Sequence, residues 1–134
     1  MIIPEAYRPT LTMRTKNVPF ESGDLHWADL DGFVGAEQRG RRPVLIVSEN
    51  FYNLRSNRVI VCPISSRARG WATEVKLSDG LPISGVILAD QIRALDRKAR
   101  IFDYIAHIPA VDMAAVRDVI ALLLGILSLE PDDL

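Results

Sequence analysis

The chain has 134 residues, a length that fits one domain and can hide roughly 65–70% of the surface of the unfolded chain. Hydrophobic residues make up 49% of it, so a core can form without disulfides, and the single cysteine, Cys62, offers no disulfide framework. The longest apolar run, residues 119–127, is too short to span a bilayer, and residues 1–16 lack the apolar centre of a secretory signal. We therefore expect a soluble cytoplasmic protein without membrane contact.

The formal net charge is −1, but the charges are unevenly distributed. Residues 35–70 contain seven arginines against two glutamates. Because a guanidinium group can donate two hydrogen bonds to one phosphate, such a segment suits contact with nucleic acid. The alternative is that these arginines are ordinary surface charges, and charge alone favours this alternative.

Three parts are predicted along the chain, beginning with an N-terminal arm. Residues 1–20 contain prolines, few large apolar residues and no periodicity, which is typical of such an arm. Residues 21–128 hold the strand and helix patterns of one domain. Residues 129–134 form an acidic C-terminal tail.

Short segments with strand patterns follow the arm. Residues 44–47 are all apolar, the pattern of a strand buried on both faces. Pro63 cannot donate to a ladder, so it predicts the edge or the end of a strand. The predicted strands cover residues 23–30, 42–48, 57–65, 72–77, 84–90 and 99–108.

The last predicted element is an amphipathic helix over residues 110–127, with Pro109 just ahead of its first turn. Its apolar residues cover more than one face: Val116, Val119, Ile120, Leu122, Leu123, Leu124, Ile126 and Leu127. The excess favours a subunit or partner contact, although a deeply packed helix explains it almost as well. Many short strands before one helix predict a mainly β (α+β) fold, a small antiparallel β-barrel with a C-terminal α-helix.

No metal site or nucleotide-binding loop is visible in the sequence, so no cofactor is expected. It contains no CxxC pair, HExxH motif or acidic cluster, and His26 and His107 stand far apart. His26 is interpreted as a surface or structural histidine, and Cys62 as a small core residue. Trp71, exposed in its loop, either stacks on a base or caps the barrel.

Five stretches, in order, resemble a known family. They are "GDLHWADLD", "VGAEQRGRRPVLIVS", "VCPISSRARGW", "TEVKL" and "SGVILADQIRALDRKAR", within about residues 22–127. Each motif alone is weak, but together they closely resemble the MazF/PemK family of toxin endoribonucleases. The resemblance implies an SH3-like barrel, a homodimer and metal-independent cleavage of single-stranded RNA. It also implies a cognate antitoxin protein that holds the toxin inactive.

The resemblance assigns the catalytic core to two residues. Arg42, in the "RP" pair, and Ser65, after "PI", match the family's catalytic positions. When the 2′-OH of RNA attacks phosphorus, a positioned cation stabilises the charge on the phosphoryl oxygens. Arginine stays protonated, so Arg42 is predicted to stabilise the transition state rather than donate a proton.

Glu37 and Gln38 match the family's "EQ" and are predicted to position RNA or to orient Arg42. The alternative for Glu37 is a loop ion pair with Arg39 or Arg41. Other residues predicted to bind the substrate or support the site are Arg39, Arg41, Asn53, Arg67, Arg69, Trp71, Asp90 and Gln91. For Asp90 the alternative is a cap on the turn into "QIRAL".

The chain departs from the family pattern at two positions. Ser65 stands where many members carry threonine, and the retained hydroxyl predicts retained activity. Ala36 stands where some members carry a histidine, so a mechanism that uses that histidine as a base cannot operate here. The general base is therefore not assigned.

The helix stripe and residues 59–64 are expected to support a homodimer whose two chains line one RNA groove. Two alternatives come from other functional classes. One is a barrel that binds RNA or DNA through the same arginines without cutting, and the other is a gyrase-binding toxin of related fold. The pairing of Arg42 with Ser65 favours cleavage, because a pure binder needs no hydroxyl beside an arginine.

Overall fold

A computed structural model describes residues 19–32 and 40–129 of the protein. The strands are β1 (Asp24–Asp29), β2 (Arg41–Ile46), β3 (Arg58–Ser65), β4 (Glu74–Lys76), β5 (Val86–Leu88), β6 (Arg93–Asp96) and β7 (Ile101–His107). The helices are α1 (Asn50–Arg55), α2 (Arg97–Arg100) and α3 (Ala110–Leu123), and a 3₁₀ turn spans Ala89–Gln91. Most of the predicted arm and of the acidic tail lies outside the described residues.

β3 is the centre of an antiparallel sheet because it is paired along both edges. One edge pairs with β2, and the other pairs with β6 in its first half and with β5 in its second half. β1 joins β2 to β7, and β4 extends the sheet beyond β5. Because α2 links β6 directly to β7, the strands β7, β1, β2, β3 and β6 form a ring that the chain itself closes. The predicted mainly β fold, with one long C-terminal helix, is confirmed.

The prediction of a strand end at Pro63 is wrong. Pro63 pairs with Val44 in the interior of the sheet, and β3 continues to Ser65. The ladder with β6 ends at Val61, and the ladder with β5 begins at Ile64. Pro63 therefore lies where β3 changes partner, a position that tolerates a residue without an N–H group.

Side chains that alternate along the strands fill two cores. Val44 and Ile46 of β2 belong to one core, Leu45 belongs to the other, and each is fully buried. This confirms the prediction that this strand is buried on both faces. The core beneath α3 contains Leu25, Leu45, Cys62, Ile64, Ile87, Ile108, Met113 and Val116. The core inside the ring of strands contains Ala28, Leu30, Val44, Ile46, Val59, Val61, Leu95 and Ile101.

The helix α3 is anchored at its beginning and exposed at its end. Asp112, buried in the first turn, accepts hydrogen bonds from the backbone N–H of Ser78 at 2.9 Å and from its hydroxyl at 2.6 Å. Val116 is fully buried, whereas Leu123 is 49% exposed. The predicted apolar stripe is therefore covered only in its first half. Within the described part of the chain, no helix is long and apolar enough to cross a membrane.

Residues 59–64 leave little exposed surface for the expected subunit contact. Val59, Val61, Cys62 and Ile64 are at most 3% exposed, and both edges of β3 are already paired. These residues build the core of their own chain. An apolar surface that remains available lies instead at the end of α3.

Candidate functional site

A groove of about 500 Å³ opens beside the ends of the central strands. Three apolar residues from neighbouring strands line it: Trp27 of β1, Pro43 of β2 and Ile64 of β3. Trp27 and Pro43 are register partners. Polar and cationic groups complete the lining, with Arg41, Arg42, Ser66 and Ser84 beside Pro82 and Ile83. An apolar floor with arginines at its side suits a base and its phosphate.

The two predicted catalytic residues lie at the same level on neighbouring strands. The last register pair between β2 and β3 is Val44 with Pro63, and Arg42 and Ser65 each stand two residues beyond it. Arg42 is exposed and lines the groove. Ser65 is 9% exposed at the last position of β3. The fold thus brings together two residues that are far apart in the sequence.

The Ser65 hydroxyl is held in a local turn. Its Oγ accepts a hydrogen bond from the backbone N–H of Arg67 and donates one to the Arg67 carbonyl, both at 3.2 Å. A hydroxyl that donates to a phosphate oxygen must therefore rotate away from the Arg67 carbonyl. The N–H bond to its oxygen can persist while it does so.

Gly85, the residue just before β5, lies close against the backbone of Ser65. A Cβ atom at Gly85 would lie 2.3 Å from the Ser65 carbonyl oxygen, and the φ angle of Gly85 is 139°, in the region that favours glycine. The next residue, Val86, is the register partner of Ser65. Only glycine permits this close approach, so the "SG" before β5 has a structural reason.

Ser66 is a groove residue that the sequence analysis did not single out. It lines the groove directly, whereas Ser65 is not among the described residues that do. The signal was the second serine of the "SS" pair. Neighbouring residues at the end of a strand point to different sides, so one of two adjacent hydroxyls is directed into the groove and the other faces the turn.

Two of the arginines predicted to support the site, Arg41 and Arg69, lie over aromatic rings. The guanidinium carbon of Arg41 lies 4.7 Å from the ring centroid of Phe102 on β7, and that of Arg69 lies 5.3 Å from the ring centroid of Trp71. Such cation–π contacts stabilise exposed pairs by about 0.5–1 kcal/mol. Trp71 is 55% exposed, which confirms its predicted exposure. Arg67 is exposed beside Ser66.

Three of the predicted site residues lie outside the strands: Asn53 in α1, and Asp90 and Gln91 in the 3₁₀ turn. Asn53 is 2% exposed, and its Nδ2 donates to the carbonyl oxygens of Phe20 at 2.7 Å and Ser48 at 2.9 Å. Burial favours a supporting role for Asn53 over contact with RNA. Asp90 and Gln91 form the 3₁₀ turn and are not among the described residues that line the groove.

The 3₁₀ turn faces the only cysteine. Burial raises the pKa of the Cys62 thiol to about 12, while nearby Arg93 lowers it and Asp90 raises it further. The thiol therefore stays protonated at neutral pH and is a poor nucleophile. This agrees with the interpretation of Cys62 as a core residue.

The predictions for Glu37, Gln38 and Arg39 fall outside the described ranges. The described chain stops at Gly32 and resumes at Gly40, immediately before the groove residue Arg41. The backbone N–H of Leu30 donates to the Gly40 carbonyl at 2.8 Å, which ties the two ends of this connection together.

The two histidines converge on one carboxylate, Asp24. His107 Nδ1 lies 2.9 Å from Asp24 Oδ1, and His26 Nε2 lies 3.8 Å from Asp24 Oδ2. His26 is 4% exposed and its Nδ1 lies 2.9 Å from the Phe102 carbonyl oxygen, which confirms a structural histidine.

Glu21 joins Asp24 and His107 to form a group whose ligand atoms lie within 4.8 Å of one another. Sequence spacing could not reveal this group, because the β1–β7 register creates it. Asp24 precedes the groove residue Trp27 by three positions along β1, a distance of about 10 Å. The group is therefore separate from the groove.

Comparisons with known proteins agree with this fold. The chain is 38% identical over 88 residues to the Escherichia coli (strain K12) endoribonuclease toxin MazF, covering 66% of this chain and 78% of that protein. The crystal structure of MazF from Deinococcus radiodurans matches with a TM-score of 0.76 and 41% identity, covering 82% of this chain and 99% of that one. A MazE–MazF crystal structure from the same organism matches with a TM-score of 0.69 and 38% identity, covering 84% and 100%.

The match extends to a family model that covers most of the chain. Residues 21–124 match the model described as a PemK-like, MazF-like toxin of a type II toxin–antitoxin system. These residues include every strand of the sheet, the groove and α3. The chain therefore belongs to the PemK-like, MazF-like toxin family of type II toxin–antitoxin systems.

Proposed function

We propose that this protein is a sequence-specific endoribonuclease that cuts single-stranded RNA in the cytoplasm and so inhibits translation and growth. The observation that carries this proposal is that Arg42 and Ser65 stand at the same level on the neighbouring strands β2 and β3, with Arg42 lining the groove. The name of the E. coli relative, endoribonuclease toxin MazF, supports RNA cleavage. The MazE–MazF structure of D. radiodurans supports a cognate antitoxin as the protein partner.

The proposed reaction uses the 2′-OH of the substrate as its own nucleophile. The O2′–P bond forms while the P–O5′ bond breaks, which leaves a 2′,3′-cyclic phosphate and a 5′-hydroxyl. The 2′-oxygen loses a proton and the 5′-oxygen gains one. Because the nucleophile belongs to the RNA, no metal is needed to generate it.

The chain supplies charge stabilisation and positioning. The Arg42 guanidinium donates to the phosphoryl oxygens, where negative charge grows in the transition state. The Ser65 hydroxyl donates to, or aligns, the same phosphate. Trp27, Pro43 and Ile64 provide the apolar floor on which a base packs. Excluding water from this floor strengthens the contact between Arg42 and the phosphate.

The experiment that tests this function incubates the protein with a long single-stranded RNA and sequences the fragment ends. We expect cuts at a recurring short sequence, with 5′-hydroxyl and cyclic phosphate ends, at a rate that EDTA leaves unchanged. RNA that is bound but uncut would indicate the non-catalytic barrel. Inhibition of gyrase without RNA cleavage would indicate the gyrase-binding toxin.

The chelator arm of this experiment is informative because of Glu21, Asp24 and His107. If EDTA abolished cleavage and Mg²⁺ restored it, the metal-independent mechanism would be wrong. The Asp24→Asn variant, which weakens this group without touching the groove, would then show whether the ion acts there.

A further inference from the structure

The loop between β3 and β4 is folded around one carboxylate, that of Glu74. Three consecutive backbone N–H groups, those of Arg69, Gly70 and Trp71, donate to it at 2.9–3.2 Å. Successive amides that converge in this way form an anion-binding nest. Gly70 has a φ angle of 78°, in the left-handed region that this loop requires and glycine readily adopts.

Glu74 is in turn fixed to the sheet. It is the first residue of β4 and the register partner of Leu88 in β5. The preceding carbonyl, that of Thr73, accepts a hydrogen bond from the Ala89 N–H at 3.1 Å, and the Glu74 N–H donates to the Trp71 carbonyl at 3.1 Å. The Glu74 carboxylate therefore has a fixed position on the sheet, and its hydrogen bonds attach the exposed loop to it.

Two side chains of this loop, Trp71 and Arg69, are exposed to solvent. Trp71 is 55% exposed, and the Arg69 guanidinium carbon lies 5.3 Å from its ring centroid. An exposed indole beside an arginine has the composition of the surfaces on which single-stranded nucleic acids stack their bases. The capping role considered for Trp71 would instead require it to be buried against the barrel.

We propose that Glu74 is a positioning residue that holds Arg69 and Trp71 as a platform for one unpaired RNA base outside the groove. This inference rests on the proposed RNA cleavage and deepens it by assigning a second subsite. Trp71 follows the groove residue Ser66 by five positions, so their Cα atoms lie within about 18 Å of each other. This upper bound lets the stacked base belong to a nucleotide within a few positions of the cut phosphate.

A first experiment tests the platform without RNA. Acrylamide quenching of tryptophan emission is measured for the native protein and for Glu74→Ala, each with its Trp71→Phe counterpart to subtract the emission of Trp27. The matched control is Asp79→Ala, which removes a carboxylate that is 98% exposed and lies 3.7 Å from Lys76. We expect Glu74→Ala to make Trp71 more accessible to the quencher, Glu74→Gln to have a smaller effect, and Asp79→Ala to have none.

A second experiment separates binding from chemistry. The KM for RNA cleavage is expected to rise about tenfold in Glu74→Ala, because one stacked base contributes about that factor to affinity. The kcat should stay within about twofold, since the lost contact is present equally in the ground and transition states. Trp71→Ala should show the same pattern. The double variant should be no worse than Trp71→Ala alone, because both changes remove one contact.

Two results would overturn the platform. One is unchanged Trp71 quenching in Glu74→Ala, and the other is a double variant in which the two KM effects multiply. Binding of the same variants to a single-stranded RNA methylated at every 2′-oxygen, followed by fluorescence anisotropy, measures the platform without cleavage. A native protein that cuts no RNA would thus refute the proposed function, whereas equal affinity of native protein and Glu74→Ala for the methylated RNA would refute the platform.

Discussion

Arg42 and Ser65 differ in how firmly the fold holds them. Ser65 is 9% exposed, is paired with Val86 and is confined by the close approach of Gly85. Arg42 has a fixed backbone in β2 but an exposed side chain. A hydroxyl on a fixed backbone, beside a cation with a longer reach, can bind a phosphate whose position varies slightly with the RNA sequence. We therefore propose that Ser65 fixes where the phosphate binds and that the Arg42 guanidinium adjusts to its position.

Removal of either side chain should slow cleavage much more than it weakens RNA binding. Loss of one preorganised donor typically lowers the rate by roughly 10²–10³, and we expect this of Arg42→Ala and of Ser65→Ala. Ser65→Thr should remain active, whereas Arg42→Lys should be slow because an ammonium group lacks the two-pronged contact. Affinity should fall less, since other arginines still contact phosphates. Single-turnover cleavage beside a binding titration, at one fixed salt concentration, measures both effects.

Two control variants make the test of Arg42 and Ser65 specific. Arg58→Ala removes an exposed arginine at the opposite end of β3 and should cut at the native rate. Ser66→Ala removes the neighbouring hydroxyl that lines the groove. If Ser66→Ala were the slower serine variant, the catalytic hydroxyl would belong to Ser66. If Arg42→Ala cut at the native rate, Arg42 would be an ordinary surface charge.

The buried Cys62 thiol should make stability depend on pH in the alkaline range. Burial raises its pKa from 9.0 to about 12, so above pH 9 the unfolded chain loses a proton that the folded chain keeps. This contribution to stability is complete below pH 9 and is lost as the pH rises toward 12. Between about pH 8 and about pH 10.5, the native protein should lose about 2 kcal/mol more unfolding free energy than Cys62→Ala. Urea unfolding of both proteins measures this, and equal losses would contradict it.

At the scale of elements, the sequence predicted the strands and the helix whose buried residues recur in a regular pattern along the chain. β2 is apolar at each central position because two cores meet on it, and α3 is anchored by Val116 on one face. It missed α1, in which only Asn53 is buried, and β6, in which only Leu95 is buried. Elements of four to six residues with one buried side chain are too short to show a period.

The helix α2 has a local sequence signal in Asp96. The Asp96 side chain accepts hydrogen bonds from the N–H groups of Lys98 and Ala99, the arrangement of a helix N-cap. These bonds, that of Ala99 foremost, lower the pKa of Asp96. An aspartate before "RKAR" is a recognisable helix start. It marks residues 99 and 100 as helical, whereas the predicted strand over residues 99–108 included them.

The candidate site was predictable only in part, because it depends on strand register. The family resemblance supplied Arg42 and Ser65, but the neighbours Trp27 and Pro43 are brought together by the β1–β2 register. Similarly, Asp24 meets His107 only through the β1–β7 register. A sequence pattern reports which face of a strand is buried, and it does not report which strands are neighbours.

At the scale of the whole molecule, the end of α3 and the residues after it leave an apolar patch on the surface. These residues are between 36% and 65% exposed: Leu122, Leu123, Leu124, Ile126, Leu127 and Leu129. Monomeric proteins rarely expose so many neighbouring apolar side chains without a partner. A two-fold axis through such a patch would cover it with its own copy. We therefore place the proposed homodimer contact at this patch rather than at residues 59–64, most of which are buried in their own chain.

The native protein should accordingly have a solution mass near twice the 14.9 kDa of one chain at micromolar concentration. Leu124→Glu and Ile126→Glu each place a charge in the patch and should yield monomers, since an unpaired charge is costly to bury. Val111→Glu is the matched control, because Val111 is 70% exposed at the other end of α3, and it should remain dimeric. Light scattering measures the mass, and circular dichroism checks that each variant is folded. A native monomer would contradict the homodimer and would leave the antitoxin as the partner that covers the patch. Dimeric Leu124→Glu and Ile126→Glu variants would instead move the subunit contact to another surface.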